Sequence, residues 1–351
     1  MPWESDAAMI RLRRSATLLI LGLVPVAGCS FPSSTERSLR ALPAPLLPGV
    51  ENLDVVCTDP VKYTQVIRFS DYLMKQGVPA GDILTALSCI ARAPGLKPTT
   101  AGPAVWVAFQ VAPDDAARRT WLRQVIEADG TTEAATSTAC ELLVYVADGD
   151  SRSALLNIVQ EKWPDVRAKY ALEALVELGE ERLVTWLDER SAELGVVTWL
   201  DERSAELGEQ DPIRRYFGIK KKKIMIQKNV PEMLRMIEAR DSKTDRNLHG
   251  RHGMLDRDWL VRHAIRNGAL PGEVRQRVIT HARSLRAEFP RKRLFPGMQA
   301  AHECRLFTQQ DTAEFEGIRQ MQERQHISEW DDSWVTLPNI KRAEFYCQPR
   351  Q

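Results

Sequence analysis

Three observations predict an all-α fold for this chain of 351 residues. Helix caps, first-turn prolines and glycine stops recur from about residue 55 onwards. No segment has the sustained apolar and polar alternation that is typical of a half-buried strand. Hydrophobic residues form 44% and charged residues 27% of the chain, values that allow a sizeable core. We predict an array of antiparallel helix pairs over residues 55–210 and an irregular basic helical domain over residues 211–351.

The first 29 residues have the pattern of an export signal. Three arginines precede the apolar run ATLLILGLVPVAG, which stops at Cys29. The run is short for a helix that spans a bilayer, which needs about 20 apolar residues. The stretch VAGC that ends at Cys29 resembles the lipobox of bacterial lipoproteins, and the match is better when the chain is read from Met9 than from Met1. The alternative is a buried cysteine at the end of a core helix.

The lipobox resemblance implies that Cys29 becomes the lipidated N-terminus of the mature protein. One acyl chain gives marginal membrane attachment, whereas two or three make it effectively permanent. In that family, serine after the cysteine favours the outer membrane, and Ser30 occupies this position. The implied location is the periplasmic side of the envelope, with the Pro- and Ser-rich residues 30–54 as a tether.

Export would leave five cysteines in a compartment that permits disulfides. Pairing each cysteine with its nearest neighbour predicts one bridge from Cys57 to Cys89 and another from Cys304 to Cys347. Cys140 lies within the apolar stretch STACELLVYVA, and we predict that it is a buried free thiol.

The predicted array begins with a helix that Asp59 caps, that has Pro60 in its first turn and that Gly77 stops. Further helical segments follow at 78–95 and 102–130. The clearest pattern lies at 164–189, where Asp165 can cap a helix that Gly179 ends. One face of this helix is apolar and the other is polar. The apolar face carries Ala171, Ala174, Leu175 and Leu178, and the polar face carries Lys169, Glu173 and Glu177.

A similar pattern lies about 32 residues upstream, with Ala139 for Ala171 and Leu143 for Leu175. Together the two units resemble HEAT repeats, roughly over residues 100–190. The resemblance implies a solenoid that presents an extended surface to partners. Arg167 stands where that family often has an arginine that connects neighbouring repeats.

A 13-residue stretch at 183–195 returns almost unchanged at 196–208. The two copies would face different sides of one continuous helix, since thirteen residues turn it by roughly 1300°. We predict two short helices with a break near Gly195.

Charge divides the chain into an acidic and a basic part. Residues 212–293 hold 22 Lys and Arg against 8 Asp and Glu, and by difference residues 30–211 carry a net charge of −11. This division predicts either two surfaces with different partners or docking of the two parts on each other.

Candidate anion-binding residues lie in the basic part. The first group is a lysine run, and the second group shares one face of a predicted amphipathic helix next to its core side. The members are Lys220, Lys221, Lys222 and Lys223, then Arg275, Arg283 and Arg286. The alternatives are a solvated lysine loop and arginines that serve packing.

His249, His252 and His263 are weak candidates for a metal site, because their spacing matches no established zinc pattern. Motifs of hydrolases and nucleotide-binding enzymes are absent from the sequence, which favours a function other than catalysis and predicts no cofactor. We therefore expect a lipid-anchored interaction module or scaffold with a protein partner in the envelope. The alternatives are a binder of anionic lipid headgroups or glycans and, third, an envelope hydrolase. Nucleic acid is not an expected partner of an exported protein.

Overall fold

The computed structural model describes residues 53–94, 96–197, 212–239, 256–331 and 336–350. Over these residues all regular structure is helical, which confirms the predicted all-α class. The signal, Cys29 and nearly all of the tether lie outside the described residues. The predicted boundary between residues 210 and 211 also lies outside them.

The first ten helices cover the predicted array and the lysine run. They are α1 Val55–Thr58, α2 Val66–Lys75, α3 Ala80–Arg92, α4 Pro98–Val111, α5 Asp115–Glu127, α6 Glu133–Val146, α7 Gly149–Lys162, α8 Val166–Leu178, α9 Arg182–Val197 and α10 Pro212–Ile226.

These helices pack as two layers of consecutive pairs. Each of α3, α5, α7 and α9 contacts the helix that follows it, and short loops make such neighbours antiparallel. In one layer α2, α4, α6, α8 and α10 contact each other in succession, and α3, α5 and α7 do so in the other. A continuous apolar core from Val56 to Ile224 fills the space between the layers. Each pair therefore buries its apolar face against its neighbours.

Seven further helices complete the described chain. They are α11 Val230–Glu238, α12 Arg257–Arg266, α13 Pro271–Glu288, α14 Met298–Glu303, α15 Gln309–Glu314, α16 Glu316–Asp331 and α17 Thr336–Tyr346. A second apolar core, from Ile226 to Ile318, lies among α11 to α16. Helix α17 contacts α4 and α6 of the array as well as α12. Both cores belong to one compact unit, Leu47–Gln351.

Two arginines repeat one contact in successive helix pairs. Arg119 of α5 donates from Nη1 to the carbonyl oxygen of Val146 at the end of α6, at 3.2 Å. About 32 residues later, Arg152 of α7 donates to the carbonyl oxygen of Leu178 at the end of α8, at 3.3 Å. Each guanidinium thus satisfies an orphan carbonyl at a helix C-terminus. Separately, Arg167 contacts Asp129, in the loop between α5 and α6, at 3.0 Å.

Both predicted ends of α8 are confirmed. Asp165 accepts from the backbone N–H of Arg167 at 2.8 Å and so caps the first turn. Gly179 follows the last turn with φ 66°, a left-handed conformation that favours glycine. A Cβ on Gly179 would also lie 2.6 Å from Oε1 of Gln227. The amide of that glutamine donates to the carbonyl oxygen of Val176 at 2.7 Å and holds α10 against α8.

We expect Gly179→Ala to lower the free energy of unfolding by about 2–4 kcal/mol. The left-handed backbone accounts for about 1–2 kcal/mol, and displacement of Gln227 adds the loss of a buried hydrogen bond. Gly130→Ala is the control, because Gly130 has φ 82° but open space around the added methyl. Urea denaturation measures both variants, and equal losses would contradict the proposed role of Gln227.

One sequence prediction about the array is wrong, and another is tested only in part. Helix α9 continues through Gly195 to Val197, whereas residues 198–211, over which the second short helix is predicted, lie outside the described residues. One glycine costs a helix only about 1 kcal/mol, which flanking helix formers offset. The helix predicted from Asp59 begins only at Val66, because residues 59–65 form turns with bonds such as that from the Lys62 N–H to the Asp59 carbonyl.

The predicted cysteine pairing is confirmed. Cys57 bonds to Cys89, which joins α1 to α3, and Cys304 bonds to Cys347, which joins the end of α14 to the end of α17. Cys140 is a buried free thiol. Burial raises its pKa far above the ordinary value, so it remains a protonated thiol.

Candidate functional site

The acidic array and the basic residues after 211 dock on each other through ion pairs. Lys220 Nζ lies 2.5 Å from Oε2 of Glu173, and the Tyr216 hydroxyl donates to the other oxygen of that carboxylate at 2.7 Å. Lys221 Nζ lies 2.6 Å from Asp188. The opposite charges found in the sequence therefore meet inside one molecule.

The four lysines of the predicted anion site do not form one surface. They occupy consecutive positions of α10, and a helix turns by about 100° per residue, so they point in different directions. Lys220 is buried against Tyr216, and Lys223 Nζ lies 5.2 Å from the centre of the Trp259 ring. Lys222 is exposed. An anion at this run would compete with carboxylates that already hold Lys220 and Lys221.

The three predicted arginines do share one face of α13, where they meet α15. Arg275 contacts both oxygens of Asp311, at 2.6 and 2.8 Å. Arg283 contacts both oxygens of Glu314, at 2.9 and 2.7 Å. Arg286 also contacts Glu314, at 3.0 Å. The apolar side of the same helix is buried as predicted, at Val274, Val278, Ala282 and Leu285. Each arginine is thus paired with a carboxylate of the same chain.

Only one of the three histidines of the predicted metal site lies within the described residues. His249 and His252 lie outside the described residues. His263 lies in α12 with none of its side-chain surface exposed, and its Nε2 is 3.0 Å from Oε2 of Glu177. In the part of the chain that the structure describes, no three His, Cys, Asp or Glu side chains are placed to hold a metal ion.

Sequence reasoning did not foresee the polar cluster around Glu177. Three side chains donate to its carboxylate or share a proton with it: the Trp259 indole at 2.8 Å, His263 at 3.0 Å and the Tyr346 hydroxyl at 2.9 Å. Trp259 stacks on the imidazole, with ring centres 4.1 Å apart. We call these four residues the Glu177 cluster. It joins α8, α12 and α17 at one point.

The pKa values define the charges in this cluster. Burial acts to raise the pKa of Glu177, but the His263 hydrogen bond, the charges of His263 and Lys223 and the Tyr346 hydroxyl outweigh it and lower the pKa to about 2. Burial lowers the pKa of His263 below its ordinary value even though Glu177 opposes this. At pH 7 the imidazole is therefore neutral and donates from Nε2–H to the ionised carboxylate, and the charge of His263 acts on Glu177 only in acid, where the imidazole is protonated.

The Glu177 cluster is suited to holding helices together rather than to catalysis. A carboxylate with a pKa of about 2 is a weak base. The imidazole is enclosed between Trp259 and the Tyr346 ring, and Tyr346 itself is buried. No face of the imidazole is open to a substrate. One signal was present in the sequence, since Glu173 and Glu177 lie four residues apart on the polar face of α8.

Helix α17 adds a second set of contacts with the array. Lys341 Nζ lies 3.3 Å from Asp115 at the start of α5. Arg342 lies 2.9 Å from Glu141 of α6 and donates to the Tyr145 hydroxyl at 3.1 Å. Three carboxylates of the array, the third being Glu177, therefore hold this one helix.

Asp258 of α12 is a partly buried carboxylate whose environment opposes its ionisation. Burial raises its pKa to about 6, and the charges of Asp256 and Glu303 act in the same direction. The Ala300 N–H, which donates to Asp258 at 2.9 Å, and the Arg262 guanidinium act against this rise. Asp258 thus holds the first turn of α14 against α12 at a cost in free energy near neutral pH.

Asp258→Asn is expected to gain stability relative to wild type as the pH rises. The folded state keeps its proton up to about pH 6, whereas the unfolded chain releases it near 3.8. The stabilisation from this protonated state is complete below pH 3.8 and is lost as the pH rises through 6, which corresponds to about 2–3 kcal/mol. Urea denaturation at pH 4 and pH 7 measures the difference. Asp150→Asn, on an exposed turn of α7, is the control. A pH-independent difference between Asp258→Asn and wild type would contradict the raised pKa.

Comparisons with protein-family models, curated proteins and solved structures found no match to this chain. Among the described residues, no helix combines the length and the apolar character that crossing a membrane requires.

Proposed function

We propose that this chain is a lipid-anchored lipoprotein of the bacterial envelope whose helical array binds a protein partner. The observation that carries the proposal is the layer formed by α4, α6 and α8. This layer already binds two helices from far along the chain: α17 contacts α4 and α6, and α12 contacts α8 through Glu177. The contacts use carboxylates on the array and basic or hydroxyl groups on the bound helices. Such a surface is suited to helix recognition.

The envelope location is supported by the lipobox pattern at Cys29 and by the cysteines of the folded unit. Four of the five cysteines after residue 29 are joined as two disulfides. Disulfides persist in oxidising compartments such as the bacterial periplasm and are rare in the cytosol. A Ser and Pro-rich segment between Cys29 and α1 gives the array room to reach a partner.

The binding of anionic lipid or glycan receives less support from the geometry. Five of its seven predicted residues already contact a carboxylate of this chain, namely Lys220, Lys221, Arg275, Arg283 and Arg286. A hydrolase that depends on His263 receives less support as well, because the Glu177 cluster encloses that ring.

The test is capture of the partner from the native membrane. The full chain with Cys29 intact and an affinity tag at its C-terminus is crosslinked in cells, solubilised and purified in two portions, one at roughly 0.1 M salt, where the Debye length is about 10 Å, and one at about 1 M salt. A stoichiometric protein partner supports the proposal. Suppose instead that only anionic lipid or glycan is recovered, and that it is lost at high salt and in the Lys222→Gln variant. This result would refute the proposal in favour of anion binding by the basic residues. A Cys29→Ser chain, which cannot be lipidated at this position, is the control. If this chain stays in the cytoplasm and still binds the same partner, the proposed location is refuted.

A further inference from the structure

We propose that α17 occupies the surface on which this partner binds, and that the partner presents a helix with the same pattern. That pattern is two adjacent basic residues followed, three positions on, by two aromatic residues. The inference rests on the proposed function and identifies the chemistry of the partner. Partner binding then requires that α17 be released, and the Cys304–Cys347 bridge controls its release.

The basic half of α17 is recognised by charge. Lys341 and Arg342 are adjacent, and each contacts a different helix of the array: Asp115 at 3.3 Å and Glu141 at 2.9 Å. The Arg342 guanidinium also donates from Nε to the Tyr145 hydroxyl oxygen at 3.1 Å. Both carboxylates are partly exposed, and Asp115 also pairs with Arg118 of its own helix at 2.6 Å. They fit a basic partner and would repel an acidic one.

The aromatic half of α17 is recognised by shape and by one hydroxyl. The Phe345 and Tyr346 rings lie 5.9 and 6.2 Å from the Tyr145 ring, both in edge-on geometry. The Tyr346 hydroxyl donates to Glu177 at 2.9 Å. Paired aromatics of this kind are typical anchors of protein interfaces. The surface therefore selects both halves of the pattern, over about one and a half helical turns.

Helix α17 resembles a bound ligand in its place along the chain. Its partners in α5 and α6 precede it by about 200 residues, as in the pair of Arg342 with Glu141, which are 201 positions apart. Its far end is fastened by Cys347 to Cys304, and both cysteines are partly exposed. The bridge keeps α17 at high effective concentration over the surface, so a free helix cannot compete with it while the bridge is closed.

Opening the bridge is a two-electron reduction. A dithiol reductant supplies two electrons and two protons, becomes a disulfide itself, and leaves Cys304 and Cys347 as thiols. The ionic and aromatic contacts of α17 then remain as ordinary reversible contacts. A partner helix with the same pattern can exchange with α17 from that state.

The test uses the full chain and a defined peptide. The probe is a fluorescent peptide of residues 336–350 with the change Cys347→Ser, and binding is followed by anisotropy. We expect at least tenfold tighter binding to the chain with Cys304→Ser and Cys347→Ser than to the oxidised wild type. A chain with Cys57→Ser and Cys89→Ser is the matched control and should bind as weakly as wild type. The charge-reversed peptide, with Lys341→Glu and Arg342→Glu, should bind at least tenfold more weakly.

Equal binding of the peptide to the open and closed chains would overturn the inference, as would equal binding of the charge-reversed peptide. If the doubly substituted chain fails to fold, Arg342→Glu with both bridges intact takes its place. Hydrogen exchange in 336–346 should then rise at least tenfold while that of α13 stays unchanged, and an unchanged rate would overturn the inference. A membrane partner captured by the oxidised chain without any peptide binding refutes this inference alone. Failure of both experiments refutes the proposed function too.

Discussion

Glu177→Ala is expected to lower the free energy of unfolding by about 3–5 kcal/mol, the largest effect of a single substitution at the junction of the array and α12. The change leaves the Trp259 indole, the His263 imidazole and the Tyr346 hydroxyl without their shared acceptor. The side chain of Glu177 is 25% exposed, so water replaces only part of what is lost. Each unpaired buried donor costs about 1–3 kcal/mol.

Glu177→Gln removes the charge of the side chain and keeps its size, so it separates the contribution of the charge from that of packing. The glutamine oxygen can accept hydrogen bonds, but its amide group donates, so at least one of the three donors loses its partner. We expect a loss between that of alanine and zero, about 2 kcal/mol. Urea denaturation measures both variants, and Glu161→Ala on the exposed side of α7 should stay within about 0.5 kcal/mol of wild type. A loss of less than about 1 kcal/mol for Glu177→Ala would contradict the structural role of the cluster.

The difference in stability between wild type and Glu177→Gln depends on pH because the pKa of Glu177 is lowered. Ionised Glu177 stabilises the fold at every pH above its ordinary value of 4.5, and this contribution is lost as the pH falls from 4.5 towards about 2. The difference between wild type and Glu177→Gln should therefore shrink on acidification over that range. A difference that grows there would contradict the ionised state of the carboxylate.

Asp311→Ala is expected to cost about 3 kcal/mol, the second largest effect. The Asp311 side chain is 2% exposed and bonds to Arg275 through both oxygens. It also accepts from the Thr308 backbone N–H at 2.8 Å, which closes a capping box at the start of α15. Removing it leaves the Arg275 guanidinium without a carboxylate and the Thr308 N–H without its acceptor.

A double-mutant cycle with Arg275→Ala tests whether the pair acts as a unit. We expect the combined variant to lose less than the sum of the two single variants, by at least about 1 kcal/mol. Gln310→Ala, next to Asp311 but exposed, is the control and should be near neutral. Strict additivity would show that Arg275 does not depend on Asp311, and this result would make Arg275 available for an anion.

Local structure was predictable wherever a residue acts on its neighbours. Asp165, Gly179 and the apolar face of α8 follow from spacing within one helix, and the disulfide pairs follow from nearest cysteines. The exceptions are Gly195, where a local cost of about 1 kcal/mol does not end the helix, and Asp59, after which turns precede the helix that begins at Val66.

The contacts of the array with α12 and α17 were not predictable, because they join distant parts of the chain. Glu177 and Tyr346 are 169 positions apart, and neither has a neighbour in sequence that indicates the other. Charge composition indicated only that the two parts could attract each other. The lysine that contacts a given carboxylate depends on the rotation of α10 about its own axis. That rotation is set by the packing of α10 against its neighbours, which the sequence does not indicate.

The Cys57–Cys89 bridge bears on how the folded unit responds to a mechanical load. A pull on the chain ahead of residue 53 reaches α1 and then passes through the bridge straight to α3. Helix α2 and the turns before it lie within the loop that the bridge closes, so tension cannot unravel them one after another. The load falls instead on the whole interface between α3 and α4. Rupture there requires many contacts to break together, so this end of the array should resist a pulling force better than a chain without the bridge.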